Sequence, residues 1–326
     1  MVINEAHAAP SGAVDEKKEP VITAEERDYY IRAGKIAAQI IREASGKIVE
    51  GAKLLDVASF VDERTVELGA LPAFPVNLSI NEIAAHYTPG LNDESVFSKG
   101  DLVKLDVGVH IEGYPSDTAV TVLVGGGSDG SPESEKKLSM MKAAEEALDA
   151  AIKAAGPGVP LSNLGGAIED AITARGFNPV RNLTGHSMER WVLHSGMNVN
   201  NYKGQAGTLE PGMIVAIEPF ATDGAGRIIE SSKSLIYGIT LNSKNVRATQ
   251  ARALLQSLFD SYKTLPFAKR WVEKKHGPNA AFLNQLIFSG ALHVYPILKE
   301  AAGGLVTQAE HTILIEEKGV TVLSRE

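Results

Sequence analysis

The stretch "KLDVGVHIEGYPSDTAVTV", residues 104–122, reads as a β-hairpin with one anomaly. Leu105, Val107, Val109 and Ile111 alternate along a first strand, Glu112-Gly113 offers a tight turn, and Val120 and Val122 continue a second strand. Asp106 and Asp117 fall inside those strands, where aspartate is disfavoured. With Glu112 and Gly113 as a two-residue loop, Asp117 lies opposite Gly108, and Gly108 shares a face with Asp106 because side chains alternate with period two. The acids then become diagonal neighbours, about 7–8 Å apart at the backbone. A loop one residue longer would put them on opposite faces unless a bulge restored the parity. Two close carboxylates repel, which points to a bound cation, an acid–base pair or a solvated strand face. The hairpin alone leaves these alternatives open.

Composition narrows the setting. With 326 residues, 44% of them hydrophobic, the chain can bury a large core as one large or two ordinary domains. The absence of cysteine excludes disulfides, thiolate nucleophiles and cysteine-ligated zinc, and fits a reducing, cytoplasmic setting. No apolar run approaches the ~18 residues of a membrane span. The opening "MVINEAHAAPSGAVDEKKEP" has acids throughout and no continuous apolar segment, so it reads as a mobile tail over 1–22 and not as a secretory signal. A net charge of −8 gives no overall reason to expect nucleic-acid binding.

Beyond the tail, Thr23 and Glu26 form a capping box, and Ile36, Ala37, Ile40, Ile41 and Ala44 recur at helical spacing. A second helix runs from about Leu54 to Leu68 and ends at Gly69. After the hairpin the order repeats. Ser131-Pro132 opens a long helix, Ser162 opens another that ends before Gly176, and extended segments follow at 178–184, 213–221 and 227–239. This is a weak duplication of a helix–helix–strands unit. It predicts an α/β (α+β) domain with a pseudo-twofold axis over 23–242 and 301–326, with a ligand cleft between the halves. Residues 243–300 break the pattern and read as an inserted helical subdomain, with Leu254, Leu255, Leu258, Phe259 and Tyr262 as an apolar stripe. A last hairpin turns at Lys318-Gly319.

Other polar residues are embedded in apolar strands: Glu218 in "VAIEPFA", Glu310 in "TQAEHTILI", and His186 in "NLTGHSMER" beside Gly185. Each alone is more easily read as a structural residue than as a ligand. Together with Asp106 and Asp117 they make four carboxylates and one imidazole, a set that suits two divalent cations bridged by carboxylates and a water. The oxygen-rich donors favour Mn, Fe(II), Co or Mg over a closed structural zinc site.

The strings "AFPVNLSINEIAAHYTPG", "GDLVKLDVGVHIEGYPSDTAVTV", "GHSMERWVLHSG", "IVAIEPFAT" and "AEHTILI" resemble the type II methionine aminopeptidases, above all the archaeal members, over about residues 24–324. The resemblance implies the pita-bread fold, a curved and mostly antiparallel sheet, with 243–300 as the insertion that separates type II from type I enzymes. It implies Asp106, Asp117, His186, Glu218 and Glu310 as ligands of two divalent ions (Co, Mn, Fe(II) or Zn), with Glu218 also shuttling a proton. It implies that His86 contacts the scissile amide nitrogen and His194 the substrate carbonyl oxygen, and that Phe74 and Tyr295 line a methionine pocket. The implied reaction removes N-terminal methionine from peptides and nascent proteins by attack of a metal-activated water on the first peptide bond.

The remaining histidines have weaker cases. His110 shares a face with Asp106 and reads as a hairpin-end residue; His311 should point away from Glu310. His7, His276 and His293 receive no role. Competing readings are an Xaa-Pro peptidase of the same fold and a non-catalytic relative that binds nucleic acid or protein. Residues 243–275 carry eight Lys and Arg (Lys244, Arg247, Arg252, Lys263, Lys269, Arg270, Lys274, Lys275) against Asp260 and Glu273. This is either a face that docks on ribosomal RNA or a solvated helical face. The chain is expected to be a monomer with no membrane partner.

Overall fold

Thr23 opens the first helix, as the capping box predicts. Its hydroxyl accepts the Glu26 N–H at 3.2 Å, the Glu26 carboxylate accepts the Thr23 N–H at 2.9 Å, and helix α1 runs Ala24–Ser45. The structure, a computed structural model, describes residues 22–240 and 246–325. Residues 1–21, which hold most of the expected tail and His7, and residues 241–245, which hold Lys244, lie outside the described residues.

Helix α2 spans Leu54–Glu67, followed by Gly69 at φ 80°. The same arrangement returns with α3 at Pro132–Ala154 and α4 at Leu161–Ala174, followed by Gly176 at φ 80°. One boundary differs from the sequence expectation. Helix α4 begins at Leu161 after Pro160, and the Ser162 hydroxyl instead accepts the Gly204 N–H at 3.2 Å. Each helix pair covers its own sheet. Ile40, Val57 and Val61 pack on Leu105, Val107 and Val109 in one half; Ala147, Leu164 and Ile168 pack on Val215, Ile217 and Ile313 in the other.

Every strand pairing among the described residues is antiparallel. The decisive hairpin pairs Leu102–Ile111 with Tyr114–Leu123, and Gly108 stands opposite Asp117. Its turn has two residues, with φ 52° at Glu112 and 88° at Gly113, the left-handed pair that suits the twist of a tight hairpin. In the second half, Thr184–Met188, Ile214–Ile217 and His311–Ile315 lie side by side. A bridge between Ala119 and Glu310 joins the two halves.

The block 246–300 contains α5 (Thr249–Tyr262), α6 (Lys269–His276) and α7 (Phe282–Phe288) around a core that includes Leu254, Leu258, Phe267 and Leu286 together with Tyr237 of the preceding strand. Of the expected stripe, Phe259 is instead 39% exposed. Nor is the block wholly helical. Leu292–Glu300 is a strand that pairs along Ile228–Ile239 on one side and meets Ile83–Ala85 on the other. That strand ties the block to the first half beside the cleft.

Helix α1 contains Gly34, where alanine would ordinarily gain about 1 kcal/mol of helix stability. A Cβ there would lie 2.2 Å from the Leu323 carbonyl oxygen, so the glycine admits the C-terminal backbone against α1. Gly34→Ala is therefore expected to destabilise the protein, by about 1–3 kcal/mol from overpacking. A lowered midpoint in denaturant unfolding checks this; an unchanged or raised midpoint would contradict it.

Candidate metal centre

Rigid strands deliver the acids. Asp106 and Asp117 come from the decisive hairpin, His186 from Thr184–Met188, Glu218 from the end of Ile214–Ile217, and Glu310 from the start of His311–Ile315. The glycine beside His186 is required by a close approach, since a Cβ at Gly185 would lie 2.3 Å from the Ala216 carbonyl oxygen. Asp117, His186 and Glu310 each offer a donor atom, all within 4.8 Å of one another. His186 Nε2 stands 3.5 Å from Asp117 Oδ2 and 3.9 Å from Glu218 Oε1. Asp106 completes the group from the same face of the hairpin as Asp117, as the two-residue turn requires.

Electrostatics marks the cluster as incomplete by itself. Burial, then the neighbouring Asp117, pushes Asp106 well above the usual carboxylate range; burial and the other acids do the same to Glu218 and Glu310. Asp117 is pushed up by burial to about 7. Asp106 Oδ1, Asp117 Oδ1 and Glu310 Oε1 are buried without a hydrogen-bond partner. Orphaned carboxylate oxygens aimed at a shared space, with one imidazole nitrogen among them, are donors suited to hard or borderline divalent cations. Burial also drives His186 down to about 4, which leaves its imidazole neutral and able to ligate at pH 7.

A cavity of about 240 Å³ opens over these residues, and all nine expected site residues line it. His86 adopts φ 64°; its N–H donates to Asn77 Oδ1 at 2.5 Å, and its Nδ1 lies 3.1 Å from the Pro296 carbonyl oxygen. The His194 ring meets that of His186 at 4.3 Å. Burial lowers both non-ligand histidines, His86 to about 4 and His194 to about 3, so both are neutral at pH 7. Phe74 packs on the hairpin at Gly108, where a Cβ would lie 2.1 Å from the ring. Tyr295 stands edge-on to His86 at 5.6 Å.

Two contributors escape the sequence reading. Gln308 Nε2 donates to Glu310 Oε2 at 3.2 Å and reaches Glu218 Oε2 at 3.5 Å, so it holds two of the acids in register. Asn77, opposite Asp106 on the adjoining strand, fixes the His86 backbone. The other histidines stay outside the group. His110 is buried, accepts the Gly113 N–H and packs on Trp191; His311 turns to Ser324 Oγ at 2.9 Å. His293, read as having no role, stands edge-on to Tyr295 at 4.7 Å.

The signature of metallopeptidase family M24 matches residues 28–254. A methionine aminopeptidase of Archaeoglobus fulgidus is 48% identical over 302 residues, covering 92% of this chain and 99% of the relative. The chain belongs to the methionine aminopeptidase family. A second family member, from Pyrococcus abyssi, is 49% identical over 304 residues, or 90% of this chain and 98% of its own length. The crystal structure of the methionine aminopeptidase from Thermotoga maritima superposes with a TM-score of 0.68 at 26% identity, covering 94% of this chain and 99% of that one. The fold is thus the pita-bread fold, with a metalloaminopeptidase's metal-binding acids at its centre. Among the described residues no helix is long and apolar enough to cross a membrane.

The raised carboxylates give the metal-free protein a definite pH response. A folded-state pKa above the unfolded value means that the native state binds more protons, so stability is lost as pH rises through the interval. For Asp117 that interval runs from the ordinary aspartate value of 3.8 to about 7. The chelator-treated protein should therefore melt at lower temperature at pH 7 than at pH 5. A saturating divalent cation should remove that loss and release protons on binding. Melting curves in chelator with a slope of the opposite sign would contradict the assignment.

Proposed function

We propose that this chain removes methionine from the N-termini of peptides and nascent proteins, with Asp106, Asp117, His186, Glu218 and Glu310 holding two divalent cations. The observation that carries this reading is the convergence of four carboxylates and a neutral imidazole on one cavity that also holds two further neutral imidazoles. Two such cations supply Lewis acidity and an acidified water near neutral pH. Glu218, half-buried as Asp106 is, takes and returns the proton of the attacking water. His86 has its Nδ1 facing the Pro296 carbonyl, so that nitrogen carries the hydrogen and Nε2 offers a lone pair. That lone pair accepts the N–H of the scissile amide. His194 donates to the carbonyl oxygen as negative charge develops there. Phe74 and Tyr295 enclose the methionine side chain.

The metal is Co, Mn, Fe(II) or Zn, and chelated protein re-supplied with each in turn should regain hydrolysis of Met-Ala-Ser with at least one. No activity with any of them would favour a non-catalytic binding protein, and preference for an Ala-Pro peptide would favour an Xaa-Pro peptidase. Asp106→Asn should stay folded while losing metal and activity. His194→Ala should lower kcat by about 100-fold with metal content unchanged, the scale of a lost oxyanion donor.

The setting we propose is a cytoplasmic monomer that meets chains as they leave the ribosome, docking through the basic face of the insertion. Arg247, Arg252, Lys274 and Lys275 are exposed there, with Lys263 and Lys269 half-buried. Arg270 is not part of that face, being buried against Asp62. Co-sedimentation with ribosomes should weaken steeply as salt rises from 50 to 200 mM. Salt-insensitive association, or none, would count against docking.

A further inference from the structure

Two non-glycine residues beside the cavity hold left-handed backbone, His86 at φ 64° and Trp191 at φ 62°. A bulky residue keeps that conformation only where its surroundings over-determine it. Both lie in segments that carry the non-ligand imidazoles: His86 itself, and Trp191 three residues before His194. On one side, each is fixed by the body of the domain. Asn77 accepts the His86 N–H; Trp191 donates its N–H to the Gly113 carbonyl at 2.7 Å, and its indole covers Gly113, where a Cβ would lie 2.3 Å from the ring.

On the other side, both are held by one short run of the insertion. The Thr264 hydroxyl donates to the Trp191 carbonyl. Leu265 joins the core that contains Leu193, Pro266 forms cavity wall, and Phe267-Ala268 pairs with Tyr237 and Ile236. The Arg270 guanidinium donates to the Thr88 hydroxyl and lies 3.4 Å from the Pro89 carbonyl, two and three residues after His86 in the chain. Arg270 is itself fixed by Asp62 of α2 at 2.9 and 3.2 Å, and the Trp271 indole N–H donates to the same carboxylate at 2.7 Å.

We propose that Thr264 and Arg270 are positioning residues, and that the run 264–270 is a brace through which the insertion holds the His194 loop and the His86 turn against the substrate. This rests on the reading of those two histidines given under Proposed function. Neither residue touches the cavity's reacting groups; each acts through a backbone segment that does. The insertion then serves catalysis by fixing angles, a role distinct from docking and from lining the pocket.

The test is a double-mutant cycle on the metal-loaded enzyme with Met-Ala-Ser. Thr264→Val keeps the side-chain volume and removes the donor; it should lower kcat about tenfold while KM moves less than about twofold. Thr264→Ser, which keeps the hydroxyl, should stay within about twofold of the parent. In a His194→Ala background, Thr264→Val should have no further effect. Thr88→Val paired with His86→Ala reads the Arg270 arm in the same way without breaking the Arg270–Asp62 pair, and carries the test if Thr264→Val fails to fold. Equal losses from Thr264→Val with and without His194, a failure of serine to rescue, or no loss at all would overturn the brace. A normal cost for His194→Ala alongside any of these leaves the catalytic reading standing. An unchanged kcat in His194→Ala would overturn that reading and the brace with it.

Discussion

Four carboxylates held in one enclosed space are the constraint on which the rest of this structure depends. Like charges at such separations raise each other's proton affinity, and burial raises it further, so the cluster works against the fold unless protons or cations occupy it. A loop could relax by turning its acid toward water. Here the acids sit in or at the ends of strands whose register is fixed by two separate hydrophobic cores, and they have no such escape. The Ala119–Glu310 bridge locks the hairpin acids to the acid of the last sheet. The packing of the halves thus carries the repulsion, and cation binding relieves it.

The same burial sorts the site into roles. Low dielectric disfavours whichever form is charged, so it pushes carboxylates up and imidazoles down. The acids are left avid for positive charge while His86, His186 and His194 are left neutral. A neutral imidazole can ligate a cation, accept an amide hydrogen or donate to a carbonyl; an imidazolium could do only the last. Tautomer is then decided locally. The Pro296 carbonyl on the strand Leu292–Glu300 claims the His86 Nδ1 hydrogen, so the insertion's last strand sets which His86 nitrogen faces the cavity.

What could be read in the sequence was what depends on short-range regularity. The face shared by Asp106 and Asp117 follows from period-two alternation and a two-residue turn, and the structure has both. Glu218, Glu310 and His186 stood out because polar groups interrupt apolar strands. His86 and His194 had no such signal, and only resemblance to a family singled them out. Gln308 falls two residues before Glu310 and so shares its face, but an amide in a strand announces no chemistry. Arg270 reads in the sequence as one of a basic helical face; its partner Asp62 is 208 residues away, a separation at which periodicity says nothing. Leu292–Glu300 likewise has no strand signal within its own helical block, because its partner strands lie outside that block.

In the proposed reading, where Phe74 and Tyr295 enclose the methionine side chain, selectivity for an unbranched side chain would follow from how these aromatic walls are backed. The Phe74 ring lies where a Cβ on Gly108 would be, and a Cβ on Gly238 would come within 3.2 Å of the Tyr295 ring. Rings seated against bare backbone cannot retreat, because the next atoms behind them belong to hydrogen-bonded strands. On that reading the cavity of about 240 Å³ would hold the side chain as well as the reacting bond. A flexible thioether can thread such a slot by rotating about its unbranched carbons. A β-branched side chain carries two heavy atoms on its first carbon and few rotamers, so it cannot comply and the walls cannot yield.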